Sequence, residues 1–176
     1  TVLSAEFLLA KILERAREIL HSGSELFVVP SLKILLSQKI TSENISQIDF
    51  LNSFSKVDDY DVYTCVKIWC DSQDKIISNL SKMLVDRKLP KVKISSVKFS
   101  VEELENCKSI HQKVLGFNNE EMNYFVYQKE MENNAYDPRK DEIKILFNDG
   151  SLKDITQASD NLNISALSKP VKKYYL

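Results

Sequence analysis

Apolar residues in the first half of the chain recur at helical spacing. Ala5, Leu8, Leu9, Ile12, Ala16, Ile19 and Leu20 share one face, and Lys11, Glu14, Arg15 and Glu18 fall mostly off it. This spacing predicts a helix from about Leu3 to Leu20, with Gly23 just beyond its end. A second helix starts at Pro30, a residue suited to a first turn, and carries Leu32, Ile34, Leu35 and Leu36. A third, short helix fits Ile48, Leu51 and Phe54. Asp58, Asp59 and Asp61 precede Val62, Cys65, Val66 and Trp69, an acidic start to a fourth. The next begins near Asp71, buries Ile76, Ile77, Leu80, Met83 and Leu84, and ends before Pro90.

Beyond Pro90 the period changes. Val92 and Ile94 alternate with Lys91, Lys93 and Ser95, as in a half-buried strand. Ser100-Val101-Glu102-Glu103 is a capping box, so a helix starts there and runs past Leu104, Cys107, Ile110 and Val114 to Gly116. Tyr124-Phe125-Val126-Tyr127 reads as a strand by β propensity. The polar stretch from Met131 to Asp141 reads as a loop. Ile143, Ile145 and Phe147 alternate into Asn148-Asp149-Gly150, a hairpin signal. Leu162, Ile164 and Leu167 suggest a short helix, and Val171 to Leu176 a last strand. The order is strand, helix, strand, strand, helix, strand. The expectation is therefore an α+β chain: a helical segment over residues 1–89, then a ferredoxin-like (βαββαβ) antiparallel subdomain over 90–176.

Composition narrows the function more by exclusion than by choice. The formal net charge is -1 over 176 residues, which gives no support to whole-surface binding of nucleic acid or an anionic membrane. The longest apolar runs, Phe7 to Ala10 and Leu26 to Val29, are too short to span a bilayer, and no basic-then-apolar leader opens the chain. Cys65, Cys70 and Cys107 form no CxxC pair and read as reduced thiols of a cytoplasmic protein. Asn-x-Ser matches at Asn44, Asn79 and Asn163 lack a secretory context. The chain starts at Thr1 and goes straight into helical sequence, which suggests a fragment of something longer.

The catalytic inventory is poor. His21 and His111 each stand alone, and no HExxH, GxSxG or P-loop occurs. The Asp58, Asp59 and Asp61 cluster reads as helix capping in preference to a cation site. One stretch departs from the average: Lys82, Arg87, Lys88, Lys91, Lys93 and Lys98 lie close together against the single Asp86. It reads either as helix-end cations followed by a solvated strand face, or as a phosphate site. In the second reading Arg87 offers its fork, and Lys91 offers a movable charge.

The string Leu84-Val85-Asp86-Arg87-Lys88-Leu89-Pro90-Lys91 resembles the "NRxLFK" element of HD-domain phosphohydrolases, among them the deoxynucleoside triphosphate triphosphohydrolases. Val57 to Val62 is similar to the "LDDxDI" element that precedes it. The opening Thr1 to Glu6 resembles the helix that follows the catalytic half of bacterial members. Ala135 to Pro138, and the ending from Ala166 to Leu176, are similar to the tail of Bacteroidetes members. The family binds its divalent metal with a His, a His-Asp pair and a distant Asp. No His-Asp dipeptide occurs here, because Ser22 follows His21 and Gln112 follows His111. The resemblance thus implies a non-catalytic C-terminal portion, with the metal and the chemistry in a missing HD catalytic half. In regulated relatives the Arg and Lys of the element contact an activating nucleotide at a subunit interface. The corresponding residues are Arg87 and Lys91, with Pro90 in place of the usual aromatic, and Lys129 is the nearest counterpart of a strand lysine that joins them.

Three functions follow as expectations. The first is a regulatory and oligomerisation module that binds a nucleotide activator. The second is a structural scaffold that completes the enzyme's core and its homo-oligomer. The third is an RNA-binding sheet with Tyr124, Phe125 and Tyr127 as its aromatic platform, although the glycine spacing of an RNP1 strand is missing.

Overall fold

The computed structural model describes residues 2–38, 41, 45–133, 143–158 and 171–176. The chain divides into two compact units: Thr1–Val92 with Gln112–Phe125, and Lys93–His111 with Val126–Leu176. The stretch 112–125, read from sequence as part of the second half, thus goes with the helical unit.

In the helical unit, α1 (Val2–His21) buries Leu8, Ile12, Ala16 and Ile19 of the predicted stripe, and Ser4 beside them, whereas Ala5, Leu9 and Leu20 at its edges are half-buried. α2 (Pro30–Ser37) buries Leu32 and Leu36. α3 (Ile48–Phe54) forms where expected but faces the other way: Phe50 and Ser53 are buried, whereas Ile48, Leu51 and Phe54 are exposed. Seven residues are too few for a period to define a face unambiguously. In α4 (Asp59–Trp69), Asp58 accepts the Asp61 amide at 3.0 Å, and Asp61 accepts the Ser31 hydroxyl at 2.9 Å. α5 (Lys75–Val85) starts later than the sequence suggests, because Asp74 takes the cap by accepting the Ile77 amide at 2.9 Å. It packs on α1 and α4 through Ile76, Ile77, Leu80, Ser81 and Leu84. Trp69 closes the core, almost fully buried, with its indole N–H donating to the Phe27 carbonyl at 2.7 Å.

The second unit holds the small antiparallel sheet. β1 (Ile94–Ser95), β2 (Lys129–Asn133) and β5 (Val171–Tyr175) pair in the order β1-β5-β2, so the final strand lies in the middle. Lys93 and Leu176 continue the β1–β5 ladder with two backbone bonds of 2.7 and 3.0 Å. β3 (Lys144–Leu146) and β4 (Leu152–Asp154) form a separate two-stranded ladder, followed at once by α7 (Ile155–Ala158). Its turn is the Asn148-Asp149-Gly150 signal: Gly150 takes φ +83°, which favours glycine, and Ser151 donates to the Asp149 carboxylate at 2.9 Å. α6 (Val101–Leu115) begins at the expected capping box. The Glu103 amide donates to the Ser100 hydroxyl at 3.2 Å, and the Ser100 amide to the Glu103 carboxylate at 2.8 Å.

The α+β class is as the sequence implies, but the strands are arranged differently from a single βαββαβ sheet. The hairpin turn ties β3 to β4, and among the described residues these two pair only with each other. Tyr124-Phe125-Val126-Tyr127 is not a strand: Glu121–Tyr124 is a 3-10 turn, and the strand starts at Lys129. Packing overrides propensity here. Met122 is fully buried, and Phe125 stacks on Phe117 with 4.8 Å between ring centroids. Met131 to Asn133, read as loop, belongs to β2. The Asn44 and Asn163 matches, the short helix at Leu162, Ile164 and Leu167, the remainder of the polar stretch including Ala135 to Pro138, and the Ala166-Leu167-Ser168 string lie outside the described residues.

Candidate functional site

The last turn of α5 delivers the basic run. The Arg87 amide donates to the Leu84 carbonyl at 3.2 Å and the Lys88 amide to the Met83 carbonyl at 2.9 Å. These two bonds are a Schellman closure, whose left-handed residue is usually glycine. Here it is Arg87, with φ +57°, the one described non-glycine residue at positive φ. Left-handed backbone costs an ordinary side chain roughly 1–2 kcal/mol. Four residues on, beyond Pro90, comes Lys91. The Pro90 carbonyl accepts the buried Ser4 hydroxyl of α1 at 2.7 Å, which ties the bend to the core.

Arg87 and Lys91 are both exposed and have no carboxylate partner among the described residues. Lys88 spends its charge locally, on Asp86 at 3.3 Å. Lys129 opens β2 in the other unit, where it is also exposed. The structure thus places Arg87 and Lys91 on one bend of the helical unit and Lys129 on a strand of the sheet unit.

A second charged constellation is invisible in the sequence. Arg15 of α1 clasps Asp74 through two nitrogens, at 3.3 and 2.7 Å, and reaches Glu18 at 3.0 Å. The Tyr124 ring lies under it, 5.6 Å from the guanidinium carbon and 5.5 Å from the Lys11 ammonium. The Tyr124 hydroxyl donates to the Glu18 carboxylate. The hydrogen bonds it donates to Asp74 hold the Arg15 guanidinium more firmly protonated than usual, despite its burial. Burial alone would raise the Asp74 carboxyl, but bonds from Arg15 and the Ile77 amide outweigh it and hold it below its ordinary value. These partners are 59 and 106 residues apart, so no local pattern announces them.

Burial, reinforced by Glu18, pushes the Tyr124 phenol up to about 12. The stability owed to the neutral phenol is complete below about pH 10, the ordinary tyrosine value. It is lost as pH climbs through the folded value. An ultraviolet tyrosinate titration is expected to show one late step that Tyr124→Phe removes. If the variant loses an ordinary step instead, the cluster does not shield the phenol.

Arg15, Trp69 and Asp74 also border an open cleft of about 1340 Å³ in the helical unit. Among its lining residues Glu18, Glu25, Asp71 and Asp74 outnumber Arg15 and Lys33, so the cleft disfavours a phosphoanion. Among the described residues no three His, Cys, Asp or Glu side chains converge to hold a metal ion. Both histidines contact backbone carbonyls, His21 that of Ser37 at 3.1 Å and His111 that of Cys107 at 2.8 Å. No helix among the described residues is long and apolar enough to cross a membrane. The strand expected to carry the RNA platform does not form: Tyr124 ends a 3-10 turn and contacts Arg15 and Glu18, and Phe125 stacks on Phe117.

Among solved structures the chain is similar to a phosphohydrolase of Bacteroides thetaiotaomicron, with 38% identity and a TM-score of 0.81. The match covers 98% of this chain and 43% of that one, so the chain spans less than half the length of its relative. No family model matches the chain. No curated protein matches it either.

Proposed function

We propose that this chain is the C-terminal regulatory and oligomerisation portion of a metal-dependent HD-superfamily phosphohydrolase that acts on nucleotides. The similarity to a phosphohydrolase along nearly the whole chain supports the phosphohydrolase part of this reading. The observation that carries the regulatory element is Arg87. A cation held in a glycine-favoured backbone conformation, exposed, with no carboxylate partner among the described residues, is an unfavourable choice for stability alone. A phosphate ligand explains it. Arg87 then grips phosphate oxygens with its fork, and Lys91 supplies a second charge across the bend. The divalent metal and its His, His-Asp and Asp ligands belong, in this reading, to the catalytic portion of the parent enzyme, and the bound nucleotide bridges copies of a homo-oligomer.

The test uses the full-length protein. Nucleoside triphosphates are titrated while hydrolysis and light-scattering mass are followed. Arg87→Ala with Lys91→Ala is expected to shift the nucleotide response to at least about tenfold higher concentration, the loss of one or more charge-assisted bonds. The scaffold reading has an observation of its own: Leu146 and Leu152 face each other across the β3–β4 ladder yet are 68% and 59% exposed. It predicts association that neither nucleotide nor the double variant alters, and that outcome defeats the regulatory reading.

A further inference from the structure

A surface helix turns its apolar stripe to the core and its polar side to water. α3 departs from this rule. Inward, where it packs on α2, it offers one large apolar side chain, Phe50, beside Ser53. Outward it offers three, Ile48, Leu51 and Phe54, which are 69%, 46% and 65% exposed. α3 has only seven residues, and no side chain caps its first turn. A helix that short does not hold together alone in water and depends on packing. Tyr60 and Tyr63, near the start of α4, add two more exposed rings in the same unit.

Charge and size select what covers this surface. Between Ile45 and Tyr63, Asp49, Asp58, Asp59 and Asp61 stand against the single Lys56. A two-fold contact between copies sets the same patch on both sides and brings these carboxylates toward one another. Five apolar side chains are also far fewer than the roughly 20–30 residues a side of a free-standing protein interface. A tethered partner needs less, because a short linkage holds it at an effective concentration of about millimolar. This chain spans 43% of the solved phosphohydrolase, which leaves ample polypeptide to form such a partner.

We infer, on the reading of this chain as the C-terminal portion of a longer phosphohydrolase, that the outward side of α3, with Tyr60 and Tyr63, docks on the portion that precedes it in the same polypeptide. The complementary surface is an apolar groove rimmed by Lys and Arg side chains.

The experiment is photocrosslinking of the full-length protein with p-benzoylphenylalanine in place of Phe54 and, in a second preparation, in place of Ile48. Irradiation is expected to join the probe to a peptide from outside residues 1–176, in a product of single-chain mass on a denaturing gel. Asp49→Lys with Asp59→Lys is expected to lower the yield at least about fivefold, since like charges then face each other. An unchanged yield overturns the basic rim, and with it the choice of partner. A product of doubled mass places the contact between copies and overturns the inference. So do crosslinks confined to residues 1–176, or none from either position. The outcome is separable from that of the nucleotide test. If Arg87→Ala with Lys91→Ala loses the nucleotide response while neither probe joins an outside peptide, the regulatory reading stands and this surface fails. If the joined portion carries no His-Asp pair, the docking stands and the HD reading fails.

Discussion

Arg87→Gly is expected to make the protein more stable and less responsive to nucleotide. Glycine accepts φ +57° without the steric cost that arginine bears, and the two closing bonds, at 3.2 and 2.9 Å, need only the backbone. Relief of roughly 1–2 kcal/mol is partly offset by the greater freedom of an unfolded glycine, which leaves a gain of about 0.5–1 kcal/mol. The nucleotide response is expected to weaken at least about tenfold, the loss of one charge-assisted bond. Urea unfolding and nucleotide titration of the same variant read both effects. Opposite signs in the two measurements mark a residue kept for ligand binding at the expense of its own backbone. A loss of stability would instead mean that the Arg87 side chain supports the fold, and the functional argument from its strain would collapse.

Local signals in the sequence were readable where one short stretch decides the outcome. The capping box at Ser100, the hairpin turn at Gly150, the buried stripe of α1 and the acidic start of α4 each depend on residues a few positions apart. Pro90 bounded the helix before it, although α5 ends at Val85, because the closing turn and its left-handed residue come first. That closure was not readable in advance, since an arginine occupies the glycine position. Long-range packing accounts for the other differences. Tyr124 and Phe125 have the propensity of a strand, but the cations of α1 and the Phe117 ring claim them. The candidate site divides the same way. Charge clustering pointed to Arg87 and Lys91, and the resemblance to Lys129, which the structure places in the other unit.

Asp74→Ala is expected to destabilise the helical unit strongly for a change outside its apolar core. Asp74 does two jobs: it caps α5 through the Ile77 amide, and it accepts both arms of Arg15. Loss of a cap costs about 0.5–2 kcal/mol. The ion pair is sheltered, with side chains 25% and 23% exposed, and removing one partner leaves the Arg15 charge half-buried. Together these give a loss of about 2–4 kcal/mol. Asp74→Asn retains an oxygen for the cap and gives up only the charge, so a loss of about 1–2 kcal/mol is expected. The pH dependence distinguishes the two contributions. The Asp74 carboxyl is held below its ordinary value of 3.8 in the folded protein, so its stabilisation is fully present above about pH 4 and disappears as pH falls through the lower folded value. The gap between the parent and Asp74→Asn is expected to be wide at neutral pH and to narrow in acid, whereas the gap between Asp74→Asn and Asp74→Ala, which reports the cap, persists at both. Urea unfolding of the three proteins at pH 7 and pH 3 measures this directly. A parent-to-Asn gap of the same size at both pH values would show that the charge of Asp74 does not hold α1 against the start of α5.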